Sequence, residues 1–184
     1  MDLFEKWLNN KDSKWIEIAL TDSSYNNYRK RGIRKNNPRY AEVQKDLPVN
    51  KDLALVGDAL INFVYSVYLF NKGTYKLTEV KKDYVSDEHF VSHIAKHYDL
   101  LNHIMKDDED KNLPNDYKYD TTQSKSGNSH KYIATCVEAI IGAIYKETND
   151  LESITELLIG WEQFVKRNPT TLEEFLALYS EDNK

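Results

Sequence analysis

Hydrophobic residues recur along this chain mainly at intervals of three and four positions, which is the period of an α-helix. The clearest stretch predicts a long helix over residues 52–70. It is followed by NKG at 71–73, where the glycine can adopt the left-handed conformation that closes a helix. A second long apolar helix is predicted over residues 129–147. Strand-like alternation is weak throughout, so the pattern predicts an all-α fold.

Shorter stretches with helical spacing surround these two. They predict further helices over residues 3–8, 15–25, 78–86, 87–97, 151–165 and 172–179. Asp87 is a candidate N-cap for the helix that ends at His97. The polar stretches 26–49 and 107–128 contain prolines, and we predict loops there. We expect one domain over residues 1–184, with its core at about 13–165.

The two long helices are each expected to bury one stripe of apolar residues. In the first helix this stripe is Leu53, Val56, Leu60, Phe63, Val64 and Val67, and in the second it is Ile133, Val137, Ile140 and Ile144. Asp58 and Glu138 lie roughly opposite these stripes. Both acids have small neighbours, such as Gly57 and Gly142. Small residues allow two helices to cross closely.

Two carboxylates on crossing helices repel each other, and each is costly to bury unless it is paired or bound to a cation. Mg²⁺ prefers oxygen ligands and needs only one or two protein carboxylates, because it keeps several waters. Such an ion can activate water for attack on a phosphodiester. Asp58 and Glu138 are therefore candidate catalytic ligands of Mg²⁺, with Mn²⁺ as an alternative. Spacing alone leaves open that both acids are solvated or paired with Lys or Arg.

The chain carries a net charge of −5, which counts modestly against nucleic-acid binding. Its cations are nevertheless concentrated. Six of them fall within eleven residues that contain no acid: Arg29, Lys30, Arg31, Arg34, Lys35 and Arg39. This cluster is a candidate contact for an RNA backbone, since duplex RNA is bound largely through shape, phosphates and 2′-hydroxyls. A solvated loop is the alternative.

Other features bound the environment of the chain. Cys136 is the single cysteine, which excludes an internal disulfide and favours a reducing, cytoplasmic location. No apolar run approaches the roughly 18–20 residues needed to span a bilayer, so no membrane partner is expected. His89, His93 and His97 recur every four residues. We interpret them as packing or surface residues, because phosphate chemistry requires hard oxygen ligands.

Four segments resemble the ribonuclease III family. Residues 53–60 (LALVGDAL) are similar to the signature helix of the family, and residues 18–25 (IALTDSSY) to an upstream motif, with Asp22 where His is usual. Residues 84–90 (YVSDEHF) resemble a third motif, and residues 134–145 (ATCVEAIIGAIY) the second catalytic helix. The four segments follow the order of the family, over roughly residues 15–147.

This resemblance implies a homodimer that binds double-stranded RNA and hydrolyses it with Mg²⁺, leaving 5′-phosphates and short 3′ overhangs. Most members place four acids around the metal. Here Ala54 and Thr135 occupy two of those positions, and only Asp58 and Glu138 match. This reduced site is similar to that of the Mini-ribonuclease III branch, whose members lack a separate double-stranded-RNA-binding domain, and we expect none in this chain. The resemblance to that branch implies a structured substrate such as a ribosomal RNA precursor.

Other residues have candidate supporting roles. Asn62 and Thr135 could hydrogen-bond the metal ligands or their waters, with simple packing polarity as the alternative. Lys125 and Lys131 precede the second catalytic helix, where cations near a helix N-terminus suit a phosphate. A solvated loop is again the alternative. Leu55 occupies the position at which the family docks a large apolar residue into the partner subunit, and a core position is its alternative.

Three functional hypotheses follow from the sequence. The first is an active, Mg²⁺-dependent endoribonuclease specific for double-stranded RNA. The second is a protein of the same fold that has lost catalysis and binds RNA or a ribonucleoprotein, and the missing acids motivate it. The third is an unrelated helical interaction domain, which would be a monomer without affinity for duplex RNA.

Overall fold

The computed structural model describes residues 1–30, 45, 47–105 and 131–165, without the side chains of residues 27–29. The helices of these ranges are α1 (Leu3–Leu8), α2 (Lys14–Ala19), α3 (Ser23–Lys30), α4 (Lys51–Asn71), α5 (Leu77–Val85), α6 (Asp87–His89, continued by the π-helical Phe90–Ala95), α7 (Lys131–Thr148) and α8 (Leu151–Gly160). Short 3₁₀ segments follow at Leu100–Asn102 and Trp161–Phe164. The predicted all-α class is confirmed, since the described ranges contain no strand and one isolated backbone bridge, between Thr21 and Met105.

Helix α7 lies at the centre of the core. The predicted stripe of Ile133, Val137, Ile140 and Ile144 is buried, and so are most other side chains between Ile133 and Ile144. Helix α4 packs along α7, and α1, α2, α6 and α8 also contact it. The core includes Phe4 of α1, which precedes the expected start of the core at about residue 13.

Helix α4 buries a different side from the one predicted. Leu53 and Val64 are buried as expected, but the prediction was wrong for Val56, Phe63 and Val67, which are exposed. The buried side consists of Leu53, Ala54, Gly57, Ile61, Val64, Tyr65 and Leu69. Because α4 is apolar on nearly every side, its sequence does not indicate which side meets the core.

The exposed side of α4 forms an apolar surface, which we call the open face. It consists of Leu55, Val56, Phe63, Val67 and Phe70, with Leu55 72% and Phe70 73% exposed. Leu55 is therefore not a core residue, which removes the alternative considered for it. Within the described ranges, α4 is also the one helix long and apolar enough to cross a bilayer. A core helix meets the same criterion, and the buried side of α4 packs against α7.

The N-terminal helices differ from the prediction in two places. The helix predicted over residues 15–25 is broken at Leu20, because Met105 bonds to the backbone there. Its N–H donates to Leu20 O at 2.8 Å, and its carbonyl accepts from Asp22 N at 3.0 Å. Helix α3 then continues to Lys30, so the predicted loop over 26–49 was wrong for residues 26–30. The rest of that loop, apart from residues 45 and 47–49, lies outside the described residues.

Two further helix ends differ from the prediction. The N-cap of α6 is Ser86, whose hydroxyl accepts a hydrogen bond from His89 N at 3.2 Å, so the assignment of Asp87 as the cap was wrong. Helix α8 ends at Gly160, and a 3₁₀ turn continues to Phe164 within the helix predicted over 151–165. The predictions for 107–128 and 172–179 fall outside the described residues.

Candidate active site at the crossing of two helices

Helices α4 and α7 cross with their main chains in contact. A Cβ atom on Gly57 would lie 1.8 Å from the backbone oxygen of Glu138, and one on Gly142 would lie 2.1 Å from the backbone oxygen of Leu53. Such distances are far below van der Waals contact, so only glycine fits at either position. The close crossing predicted from the small residues is confirmed at this pair of glycines.

This crossing brings the two candidate ligands to the same place. Asp58 follows Gly57 on α4, and Glu138 on α7 touches Gly57 with its own carbonyl group. Asp58 is exposed and Glu138 is half-buried. Burial raises the pKa of Glu138, the negative charges of Asp58 and then Asp87 raise it further, and Lys131 lowers it, which together bring the pKa to about 7. The two acids are therefore close enough for the charge of one to oppose ionisation of the other.

The surroundings of the acids bear on the alternatives left open by the sequence. In the part of the chain that the structure describes, neither Asp58 nor Glu138 forms an ion pair with a Lys or Arg. The paired alternative therefore has no support there. The solvated alternative still applies to Asp58, which is open to water in the single chain.

Asn62 lies one turn after Asp58 on α4 and is bonded to it. Its side-chain N–H donates to Asp58 Oδ1 at 2.7 Å and to the Asp58 backbone oxygen at 3.0 Å. The amide therefore restrains the orientation of the Asp58 carboxylate. Thr135 lies one turn before Glu138 on α7 and is half-buried. Ala54, at the position where the resemblance implied a Glu, is buried.

The donors present fit a hard cation with a largely aqueous shell. Among the described residues, no group of three or more His, Cys, Asp or Glu side chains is placed to hold a metal ion. An ion at the crossing would therefore have the oxygens of two carboxylates and otherwise water, which is the environment that Mg²⁺ accepts and structural Zn²⁺ does not. The repulsion between Asp58 and Glu138 is the kind of electrostatic stress that a bound cation relieves.

Asp87 is a third acid near the site, and sequence reasoning did not assign it there. Its charge acts on Glu138 from the first residue of α6. The residue lies within the segment 84–90 that carried the family resemblance, but its spacing from Glu138 in the sequence gives no sign of proximity. Its helix approaches α7 only through the tertiary fold.

The predicted RNA-binding cations are described only in part. Lys131 is exposed at the start of α7, two turns before Glu138, and Lys30 is half-buried at the end of α3. The Arg29 side chain and all of Arg31, Arg34, Lys35, Arg39 and Lys125 lie outside the described residues. Their roles therefore stay predictions. His89 is buried, and His97 packs against Phe164 with ring centroids 4.7 Å apart.

Solved structures with a similar fold are all-α nuclease domains. The nuclease domain of ribonuclease III from Campylobacter jejuni is 22% identical with a TM-score of 0.55, and the match covers 90% of this chain and 96% of that one. A second structure of this domain from the same organism describes flexibility in a region involved in dimer formation. It is 22% identical with a TM-score of 0.54, and the match covers 85% of this chain and 92% of that one. At this identity the likeness shows the fold.

The family is shown by the sequence itself. The model of the ribonuclease III domain matches residues 51–149, which is more than half of the chain. The chain therefore belongs to the ribonuclease III family, as the resemblance of its four segments predicted. No curated protein sequence matches the chain significantly. Membership of this family supports an endoribonuclease of the ribonuclease III type.

Proposed function

We propose that this protein is a Mg²⁺-dependent endoribonuclease that cleaves double-stranded RNA at the crossing of α4 and α7. The observation that supports it most is the main-chain contact at Gly57, which brings Asp58 and Glu138 together without a basic partner in the described ranges. Members of the family generally depend on a divalent metal ion, and a pair of carboxylates is sufficient for Mg²⁺. Mn²⁺ is the alternative ion.

The residues of the chain have distinct parts in this proposal. Asp58 and Glu138 would hold the ion, and Asn62 keeps the Asp58 carboxylate oriented. When bound, Mg²⁺ supplies activation of water and neutralisation of charge on the phosphodiester. Glu138 has to be ionised to serve as a ligand, because a protonated carboxyl binds cations poorly. Hydrolysis of this kind leaves 5′-phosphates, and structured ribosomal RNA precursors in the cytoplasm are the substrate that we propose.

The open face of α4 supports a homodimer. It presents large apolar side chains along one side of a 21-residue helix, including the exposed Leu55. An apolar face of this length on a globular protein is typical of an interaction surface. A two-fold dimer would use the face on both subunits. Because Asp58 lies on the same helix, the dimer would place two sites in one assembly, one for each strand of a duplex.

The proposal is tested by incubating the purified protein with duplex RNA, with and without Mg²⁺. We expect cleavage that stops with a chelator and falls at least about 100-fold in Asp58→Asn and in Glu138→Gln, since each removes a charged metal ligand. Glu156→Gln, at an exposed position on α8, is the matched control and should cleave normally. Cleavage retained by Asp58→Asn and Glu138→Gln would contradict the assignment of the site.

A second candidate function is supported by Ala54 and Thr135, which stand where most of the family has acids. It is a protein of the same fold that binds RNA or a ribonucleoprotein without cutting. In that case duplex RNA would bind with equal affinity to the wild type, Asp58→Asn and Glu138→Gln, and no Mg²⁺-dependent products would form. The same set of variants therefore separates the two functions.

A further inference from the structure

A line of hydrogen bonds leads along α4 away from the carboxylate pair. Between Leu53 and Phe70 the polar, non-aromatic residues of this helix are Asp58, Asn62 and Ser66. They are four residues apart and therefore lie along one side of the helix. Asn62 donates to Asp58, and the Ser66 hydroxyl donates to the Asn62 backbone oxygen at 2.6 Å.

This line ends at a cation supplied by another helix. Lys81 of α5 donates from Nζ to Ser66 Oγ at 3.3 Å. Helix α5 packs against α4 at this level, where the rings of Tyr65 and Tyr84 are 5.0 Å apart. Lys81 is half-buried, so its position is restrained by packing as well as by the hydrogen bond. The polar side of α4 thus has its own Asp58 at one end, and at the other end it is contacted by Lys81 of α5.

Within the described ranges Lys81, unlike Lys72 and Lys76, has no acid beside it. Lys72 pairs with Glu162 at 2.6 Å, and Lys76 pairs with Glu79 at 3.7 Å. No carboxylate lies within ion-pair distance of Lys81 in the described ranges. A neutral hydroxyl accepts one of its protons and leaves the positive charge uncompensated. Lys81 is therefore available to an anion.

We propose that Lys81, positioned by Ser66, contacts a backbone phosphate of the RNA that occupies the Asp58–Glu138 site. From Asp58 to Ser66 the helix rises by roughly 12 Å, and from Lys131 to Glu138 by roughly 10 Å. Because Gly57 meets Glu138 while Leu53 meets Gly142, the two helices run antiparallel, so Lys81 and Lys131 both lie towards the same end of the carboxylate pair. Two carboxylates repel a polyanion, so cations beside them are required to hold it over the pair. This inference rests on the proposed function and adds a specific phosphate contact to it.

The test is duplex RNA binding in metal-free buffer, where no cleavage occurs, measured over a series of salt concentrations. For Lys81→Ala we expect binding weakened several-fold at low salt, and a salt dependence of log K whose slope is smaller by roughly 1, the value for one lost phosphate contact. Lys81→Arg should preserve the slope. Lys82→Ala removes an adjacent, exposed lysine from the same helix and is the matched control, with an unchanged slope expected.

Ser66→Ala separates charge from positioning. It keeps the lysine, so the slope should stay as in the wild type while the affinity falls slightly, and thermal unfolding checks that every variant is folded. If Lys81→Ala and Lys82→Ala have the same slope, Lys81 does not contact phosphate and the inference is overturned, although cleavage by the wild type would still support the proposed function. If the wild type does not bind duplex RNA, both fail.

Discussion

At the scale of single residues, the close approach of Asp58 and Glu138 depends on two glycines, which have no side chain. Gly57 and Gly142 allow the backbones of α4 and α7 to touch, and each acid is carried on or beside that contact. Sequence reasoning identified these acids and their small neighbours. It could not identify Asp87, because only the folded chain brings the start of α6 towards Glu138.

Gly57→Ala is predicted to destabilise the protein. The new Cβ would lie 1.8 Å from the backbone oxygen of Glu138, so the helices would have to separate, at a cost of about 3 kcal/mol. Gly160→Ala is the matched control. That glycine has a φ of −58° and no atom of a described, non-adjacent residue within 4 Å of the added Cβ, so we expect about 0.5–1 kcal/mol of stabilisation. Urea unfolding measures both, and equal effects would exclude a tight crossing.

The ionisation of Glu138 gives a pH prediction. Its pKa is raised to about 7 by burial and by the charges of Asp58 and Asp87. Because a ligand carboxyl must lose its proton, we expect metal affinity to rise as the pH increases through 7. Asp87→Asn removes a negative charge and should lower this midpoint, whereas Lys131→Ala removes a positive charge and should raise it. NMR titration of the Glu138 carboxyl in metal-free protein measures the midpoint. Shifts in the opposite directions would contradict this geometry.

At the scale of elements, α6 combines a π-helical segment with a buried histidine. His89 is 4% exposed, and its Nε2 has no hydrogen-bond partner among the residues that the structure describes. Burial, together with the charge of His93, lowers the pKa of His89 to about 4. In the native state His89 therefore stays neutral as the pH falls below about 6.5, where the same residue in the unfolded chain takes up a proton. Stability from this group is present above that pH and is lost as the pH falls towards 4.

The predicted consequence is a fall in the free energy of unfolding by up to about 1.4 kcal/mol per pH unit between roughly pH 6.5 and 4. His89→Phe keeps an aromatic side chain of similar size and removes the titration, so its stability curve should be flatter over that range. Chemical denaturation at pH 8, 6.5 and 5 provides the comparison, with pH 8 as the internal reference. An identical acid slope in both proteins would show that His89 is accessible to protons.

The elements also show what a sequence pattern can and cannot predict. Helices α4 and α7 were predicted because each repeats its apolar period over several turns. Helix α3 was missed beyond residue 25, since its sequence SSYNNYRK has few apolar residues to reveal a period. The π-helical segment Phe90–Ala95 was also outside prediction, because its residues fit an ordinary helix equally well. The buried side of α4 could not be predicted either, since both of its sides are apolar.

At the scale of the whole molecule, the open face is the feature that a single chain leaves unexplained. If it forms a dimer, Leu55→Glu should weaken association by about 2–3 kcal/mol or more, because it places a charge within an apolar contact. Leu151→Glu is the matched control, since Leu151 is partly exposed on α8, away from the open face. Sedimentation equilibrium measures both. A monomeric wild type at micromolar concentration would contradict the dimer.

The family and the fold class were accessible from sequence because the four motifs are local and follow a fixed order. The arrangement of these motifs in space could not be predicted from sequence, since it depends on which sides of α4 and α7 meet. The cations over residues 31–39 and Lys125 are evident in the sequence and lie outside the described structure. Lys81 is the opposite case, because the structure shows its contact with Ser66 while nothing in its local sequence distinguishes it from Lys82.

The backbone contact at Gly57 and Gly142 limits the substitutions that this domain can accept during evolution. Side chains elsewhere in the core can be exchanged, and the helices will adjust by small shifts at their ends, but the point where the two backbones touch acts as a pivot that such exchanges do not move. The separation between Asp58 and Glu138 therefore depends on keeping both glycines.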